Sequence, residues 1–247
     1  MADAGVVEAL ARSAREVHGW VFVGFNWPVL ASRVARRLGR DHVELFEAGV
    51  ALGSAPTLLP SSTTDFASCA GHQRWQGTTL DTLAMIRRVD SVLLDASTVD
   101  LSGCINTFGE GPVVRPDFRS AGGGGSADVA VRANRLVLIS LGRLERIQER
   151  VSHVTAAPNP RAEVLLVCRG GVLSLGASPR LTEISDSREG ADLLRHLESM
   201  HVPTSGAAPA TTVPKDEQSA VIGVLQEAAT RGYQSAVRAL SDQRGAQ

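Results

Sequence analysis

Apolar residues recur every three to four positions at Val7, Leu10, Ala14 and Val17. This spacing predicts an amphipathic helix over Val6 to Val17, stopped by Gly19. Trp20 to Val23 is a short apolar run and predicts a buried strand, followed by a loop at Gly24-Phe25-Asn26. Trp27 to Leu38 returns to the helical period. Pro28 suits its first turn, and Arg33, Arg36, Arg37 and Arg40 give it a basic face that reads as solvated. Val43 to Phe46 predicts a second strand ending at Glu47-Ala48-Gly49. Strand, helix and strand at this spacing predict parallel pairing.

Ala51 to Gln76 is rich in Ser, Thr, Pro and Gly and reads as loop. Further along, the pattern predicts a helix over Thr79 to Arg87 and a strand over Val89 to Asp95. Thr98 to Pro116 reads as irregular, and Arg135 to Ser140 as a strand. Ala162 to Val167 and Gly171 to Leu175 read as a close strand pair, and Gly190 to Met200 as a helix. His201 to Gln218 reads as a linker before a helical segment over Ser219 to Leu240. The expected fold class is α/β: an open, mostly parallel sheet with flanking helices, formed by a single domain over residues 1–247.

Composition narrows the function. Lys plus Arg is 25 and Asp plus Glu is 26, a formal net charge of −1. A general nucleic-acid binder would carry a basic excess. Lys215 is the single lysine and lies in a Pro/Ala/Thr-rich stretch, which argues against Schiff-base chemistry. Cys69, Cys104 and Cys168 form no CxxC pair, and the six histidines show no His-x₃-His spacing, so no metal site is expected. No leader-like N-terminus or membrane-length apolar run is seen, so a cytoplasmic protein is expected.

Three segments carry candidate chemistry. Four consecutive glycines, Gly122 to Gly125, precede a helix start. Their N–H groups suit an anion-binding nest or oxyanion hole, or the run is a flexible surface loop. The spacing is neither a dinucleotide fingerprint nor a P-loop. Glu47 stands at the carboxyl end of a predicted strand, where α/β sites lie. It is a nucleophile or base there, or a solvated strand-end residue. Val99 to Asn106 has the Asp and Gly spacing of a tight turn.

Taken in order, Glu47-Ala48-Gly49, Val99-Asp-x-x-Gly-x-x-Asn106 and Gly122-x-Gly-Gly-x-x-Asp128 resemble the beta subunit of family I CoA-transferases, the glutaconate and 3-oxoacid type. The likeness runs from about Val6 to Val172. It takes in the turn Gly24-Phe-Asn-Trp-Pro28, similar to the family's Gly-x-x-x-Pro. The resemblance implies the family's open α/β sheet and Glu47 as the nucleophile on an acyl-CoA thioester. An acyl-glutamyl anhydride, a glutamyl-CoA thioester and ping-pong kinetics would follow. It makes Gly124 and Gly125, with Gly123, oxyanion donors, and gives Asn106 and Cys104 places in the substrate pocket. It implies no permanently bound cofactor, with CoA as a substrate. It also implies a separately encoded alpha subunit in a hetero-oligomer, and neither nucleic acid nor membrane as partner. Thr98-Val99-Asp100 stands where the family often has Gln-Val-Asp, Cys104 where Asn is frequent, and Ala48 where Ser or Asn is common.

Relatives of this fold include ring-opening hydrolases and decarboxylases of CoA esters, the latter with a cysteine in place of the glutamate. Ala55-Pro-Thr-Leu-Leu-Pro-Ser-Ser62 is similar to the decarboxylase branch, whereas Glu47 matches the transferases. A non-catalytic ligand-sensing module is the alternative from another class.

Overall fold

The computed structural model describes residues 2–120 and 122–241. They form two compact units, one of residues 1–95 and 212–247, the other of residues 96–211.

The first unit opens with α1 (Ala4–Arg15), whose N-terminus is capped by the Asp3 carboxylate accepting from the Val6 N–H at 3.1 Å. β1 (Gly19–Val23), α2 (Trp27–Arg37) and β2 (His42–Phe46) follow as the hydrophobic pattern predicts. β1 and β2 are parallel. The region expected to be loop instead holds β3 (Val50–Leu52), α3 (Phe66–Cys69) and β4 (Gln73–Gln76). A three-residue turn joins β2 to β3. So short a connection permits only antiparallel pairing, and β2, β3 and β4 form an antiparallel extension. α4 (Thr79–Met85) leads through a short 3₁₀ turn to β5 (Ser91–Asp95), which pairs parallel to the other side of β1. The strand order in this unit is therefore β5-β1-β2-β3-β4.

The second unit begins with short strands β6 (Val99–Asp100), β7 (Gly109–Glu110) and β8 (Phe118–Arg119), then α5 (Ser126–Ala130) and β9 (Arg135–Ser140). β10 (Ile147–Gln148) pairs with β6. β11 (Glu163–Cys168) lies parallel to β9 and forms the expected close pair, antiparallel, with β12 (Gly171–Leu175). β13 (Arg180–Ile184), which the pattern did not announce, pairs with β12, and α6 (Arg188–Ser199) follows. Within the stretch read as linker, β14 (Ala208–Pro209) adds to β13. The strand order here is β14-β13-β12-β11-β9.

The chain then returns to the first unit as α7 (Lys215–Thr230) and α8 (Gln234–Ser241). α7 packs on α1 and α2. Its Val221, Val224, Leu225 and Ala228 are fully buried. α/β sheet with flanking helices is thus the observed architecture, with antiparallel strands added to parallel ones. No helix among the described residues is long and apolar enough to cross a membrane.

Candidate active site

Glu47 opens the turn at the carboxyl end of β2. The Gly49 N–H donates to the Phe46 carbonyl at 3.1 Å and closes the turn. Gly49 has φ +91°, and a Cβ there would lie 2.2 Å from the Gly77 carbonyl oxygen, so only glycine fits. The Gly77 N–H donates to the Gly49 carbonyl at 2.8 Å and pins the turn from outside. Glu47 itself is half-buried, and its carboxylate has no hydrogen-bond or ion-pair partner among the described residues. The turn is fixed and the carboxylate is free.

A buried polar cluster anchors β2 beneath this turn. The Ser32 hydroxyl donates to Glu44 and meets His42 Nε2 at 2.6 Å. Arg36 Nε lies 3.6 Å from Glu44. Burial alone would raise the Glu44 pKa. The His42 hydrogen bond, the Arg36 charge and the Ser32 hydroxyl outweigh it and hold the carboxyl below its ordinary range. The hydrophobic pattern held no sign of this cluster, because its members come from facing elements, α2 and β2.

Beyond β1 the Gly24-Phe-Asn-Trp-Pro28 turn packs closely on β5, with the Gly24 N–H donating to the Leu93 carbonyl at 2.9 Å. Asn26 has φ +68° and ψ −118°, a strained conformation for a residue with a Cβ. Its Nδ2 donates to Asp95 at 2.5 Å, and its Oδ1 accepts from Ser235 of α8. Burial pushes the Asp95 pKa up to about 6, opposed only in part by the Asn26 hydrogen bond. Asp95 closes an apolar strand in the sequence. That signal, a carboxylate at a strand's carboxyl end, is the one that drew attention to Glu47.

The Ser/Pro-rich segment after β3 is tied down by long-range contacts. Arg33 donates to the carbonyls of Pro56 and Thr57, at 2.6 and 3.2 Å. Arg231 Nε donates to Leu59 O at 3.0 Å, and the Tyr233 hydroxyl to Pro60 O at 2.5 Å. The α2 arginines are therefore not a solvated face. Arg33 and Arg37 both bind Glu227 of α7, at 2.6 and 2.8 Å, and Arg36 and Arg40 donate to backbone carbonyls. Cys69 is buried, and burial, with Asp65 and Glu44 adding to it, pushes its thiol up to about 11. It is no ready thiolate nucleophile.

In the second unit Asp100 organises the middle motif. Its Oδ1 accepts from the Ser102 N–H, the Ser102 hydroxyl and the Cys104 N–H, and its Oδ2 from the Val151 N–H. Cys104 is half-buried, and its sulfur accepts from the Ser102 hydroxyl at 3.3 Å. Asn106 is buried and its amide is fully engaged. Oδ1 accepts from the N–H groups of Phe108 and Gly109, while Nδ2 donates to Gly109 O and Ser152 Oγ. Asn106 thus builds the 106–109 turn, whose Thr107 carbonyl receives the Gly122 N–H at 3.1 Å. This contact brings the middle motif and the glycine run together. Ala121 lies outside the described residues. Gly124 has φ +51°, and a Cβ on Gly123 would stand 2.5 Å from Ser126 Oγ and 2.8 Å from Thr107 Oγ1. Among the described residues, no acceptor takes the N–H groups of Gly123, Gly124 or Gly125.

These features stand beside three similarities. The chain is 28% identical over 137 residues to the beta subunit of the 3-oxoadipate CoA-transferase of Pseudomonas knackmussii, covering 55% of this chain and 53% of that one. It thus spans about half the length of the curated relative it matches. Glutaconate coenzyme A-transferase from Acidaminococcus fermentans superposes with a TM-score of 0.76 at 18% identity, over 91% of this chain and 94% of that one. The chain has a CoA-transferase fold. The decarboxylase AibA/AibB shares this CoA-transferase fold, with a TM-score of 0.69 and 24% identity, over 88% of this chain and 93% of that one. No family model matches the sequence.

Proposed function

We propose that this chain is the beta subunit of a heteromeric CoA-transferase, moving CoA between an acyl-CoA and a carboxylic acid. The observation that carries the reading is Glu47, a carboxylate without a partner among the described residues, on a rigid turn at the carboxyl end of β2. Its oxygen adds to the thioester carbonyl carbon and expels CoA thiolate, leaving an acyl-glutamyl anhydride. The thiolate then attacks the glutamyl carbonyl, the carboxylate product leaves, and glutamyl-CoA remains for the acceptor acid. Each addition makes an oxyanion, and the uncommitted N–H groups of Gly123, Gly124 and Gly125 are suited to bind one. Asn106 and Cys104 belong to turns of the second unit, where Asn106 holds the 106–109 turn and Cys104 the Asp100 turn. CoA enters as substrate, with no permanent cofactor. A separately encoded alpha subunit completes the enzyme, and a cytoplasmic location follows from an acyl-CoA substrate.

Incubating the two-subunit complex with acyl-CoA and then borohydride is expected to modify Glu47. Glu47→Ala should abolish both the label and turnover. Turnover with an unmodified Glu47 peptide would sink the mechanism. Decarboxylation of a CoA ester is the second reading, favoured by the likeness to AibA/AibB and by the Ala55–Ser62 segment. Release of CO₂ without an acceptor acid would identify it. The buried, high-pKa Cys69 offers it no nucleophile.

A further inference from the structure

The rim that carries Glu47 holds a second group whose chemistry is unused. β1 lies between β2 and β5, parallel to both. The chain passes from β1 to β2 on one side and later reaches β5 on the other, so β1 and β5 flank a topological switch point. Ligands of open α/β sheets bind beyond the carboxyl ends of strands at such points. Phe22 is level with Leu45, and Val23 with Leu93. Continuing this register puts Gly24 level with Glu47 on one side and with Leu94 on the other. Neighbouring strands lie about 4.8 Å apart. Asn26 and Asp95 therefore share the Glu47 rim.

Asn26 has two amide hydrogens and uses one. Nδ2 donates to Asp95, and Oδ1 accepts from Ser235. The Asp95 carboxylate only accepts when ionised, so it fixes which end of the amide is nitrogen, and the Ser235 hydroxyl donates to the oxygen end. Among the described residues the second N–H has no partner, on a half-buried residue held in a strained conformation. A donor oriented before substrate arrives is what an oxyanion requires. Strain of this kind persists only where the surroundings enforce it.

We propose that Asn26 is an oxyanion donor of the Glu47 site, with Asp95 and Ser235 as its positioning residues. This rests on Glu47 as the acyl acceptor. When the Glu47 oxygen adds to the thioester carbon, the carbonyl π pair moves onto oxygen, where the spare Asn26 N–H binds it. When that pair returns, the C–S bond breaks and the thiolate leaves with the bonding pair. Asn26 exchanges no proton.

The test uses the complex with its alpha partner and acetyl-CoA carrying carbon-13 at the carbonyl. In the parent complex the labelled carbonyl infrared band should move to lower wavenumber on binding, and in Asn26→Ala this shift should vanish. Asn26→Ala should also lower kcat by about 10²–10³ with KM little changed, the loss expected for one oxyanion donor. Ser235→Ala removes one of the two hydrogen bonds that hold the amide. It should lower kcat by roughly tenfold and weaken the band shift, and it decides the matter if Asn26→Ala does not fold. No shift in the parent complex, or one that survives both substitutions, overturns the proposal. Borohydride labelling separates the two readings. A label on Glu47 with the shift unchanged in Asn26→Ala removes Asn26 alone. A shift that depends on Asn26, with no label, removes the nucleophile and leaves Asn26 as a carbonyl donor.

Discussion

Asp95 shows how much one buried carboxyl can shift the balance of a rim. Its pKa rises from 3.8 to about 6 because burial disfavours its charge and only Asn26 offsets this. The folded state therefore holds the proton more tightly than the unfolded chain. The destabilisation from ionising Asp95 is absent below pH 3.8, grows between 3.8 and 6, and is complete above about 6. Asp95→Asn keeps an acceptor for Asn26 and removes the charge. It should stabilise the protein relative to wild type by up to about 3 kcal/mol at about pH 7.5 and by little at about pH 4, as read by urea unfolding at the two values. A natural chain that keeps so costly a group at its sheet rim fits a site under functional demand. Glu47 was legible as a residue because a short motif and a strand end both point at it. Asn26 was legible only as part of a turn. Its partners lie 69 and 209 positions away, and no local pattern encodes such distances.

At the scale of elements, α2 is the piece most fully announced by the sequence and most changed by the structure. Its period, Pro28 and its bounds agree with expectation. Its arginine face is a clamp rather than a wet surface. Glu227 of α7 binds Arg33 and Arg37 together, and Arg33 also holds the segment at Pro56 and Thr57. Burial would raise the Glu227 pKa, but the two arginines more than offset it and leave it lowered. Its stabilisation is therefore present above the unfolded value near 4.5 and lost as pH falls through the folded value. Glu227→Ala should cost about 1–3 kcal/mol at neutral pH, less in acid, and should speed proteolytic cleavage within residues 53–70. The same contacts explain why β3, α3 and β4 were not legible. Ser, Thr, Pro and Gly dominate there, and order comes from Arg33, Arg231 and Tyr233 reaching in from elsewhere.

At the scale of the molecule, the first unit is discontinuous. Residues 212–241 return to a layer begun by α1 and α2, and α7 supplies fully buried Val221, Val224, Leu225 and Ala228 to it. Removing residues 212–247 should leave this unit without a closed core. Residues 1–95 should then lose protection from hydrogen exchange, as peptide-level mass spectrometry would show. A truncated chain as well protected as the intact one would contradict this. The sequence by itself determined the alternation of strands and helices, the Glu47 turn, the glycine run and the family likeness. All of these are written in periods of two and 3.6 or in short motifs, which are local. Only the tertiary structure decided that β2 turns back on itself through β3, and that the α2 arginines are clamps. It alone showed that Asn106 is spent on its own turn, and that Asn26, Asp95 and Ser235 meet. The arginine clamps and the meeting at Asn26 depend on hydrogen bonds between residues far apart in the chain, which form only once the core has packed.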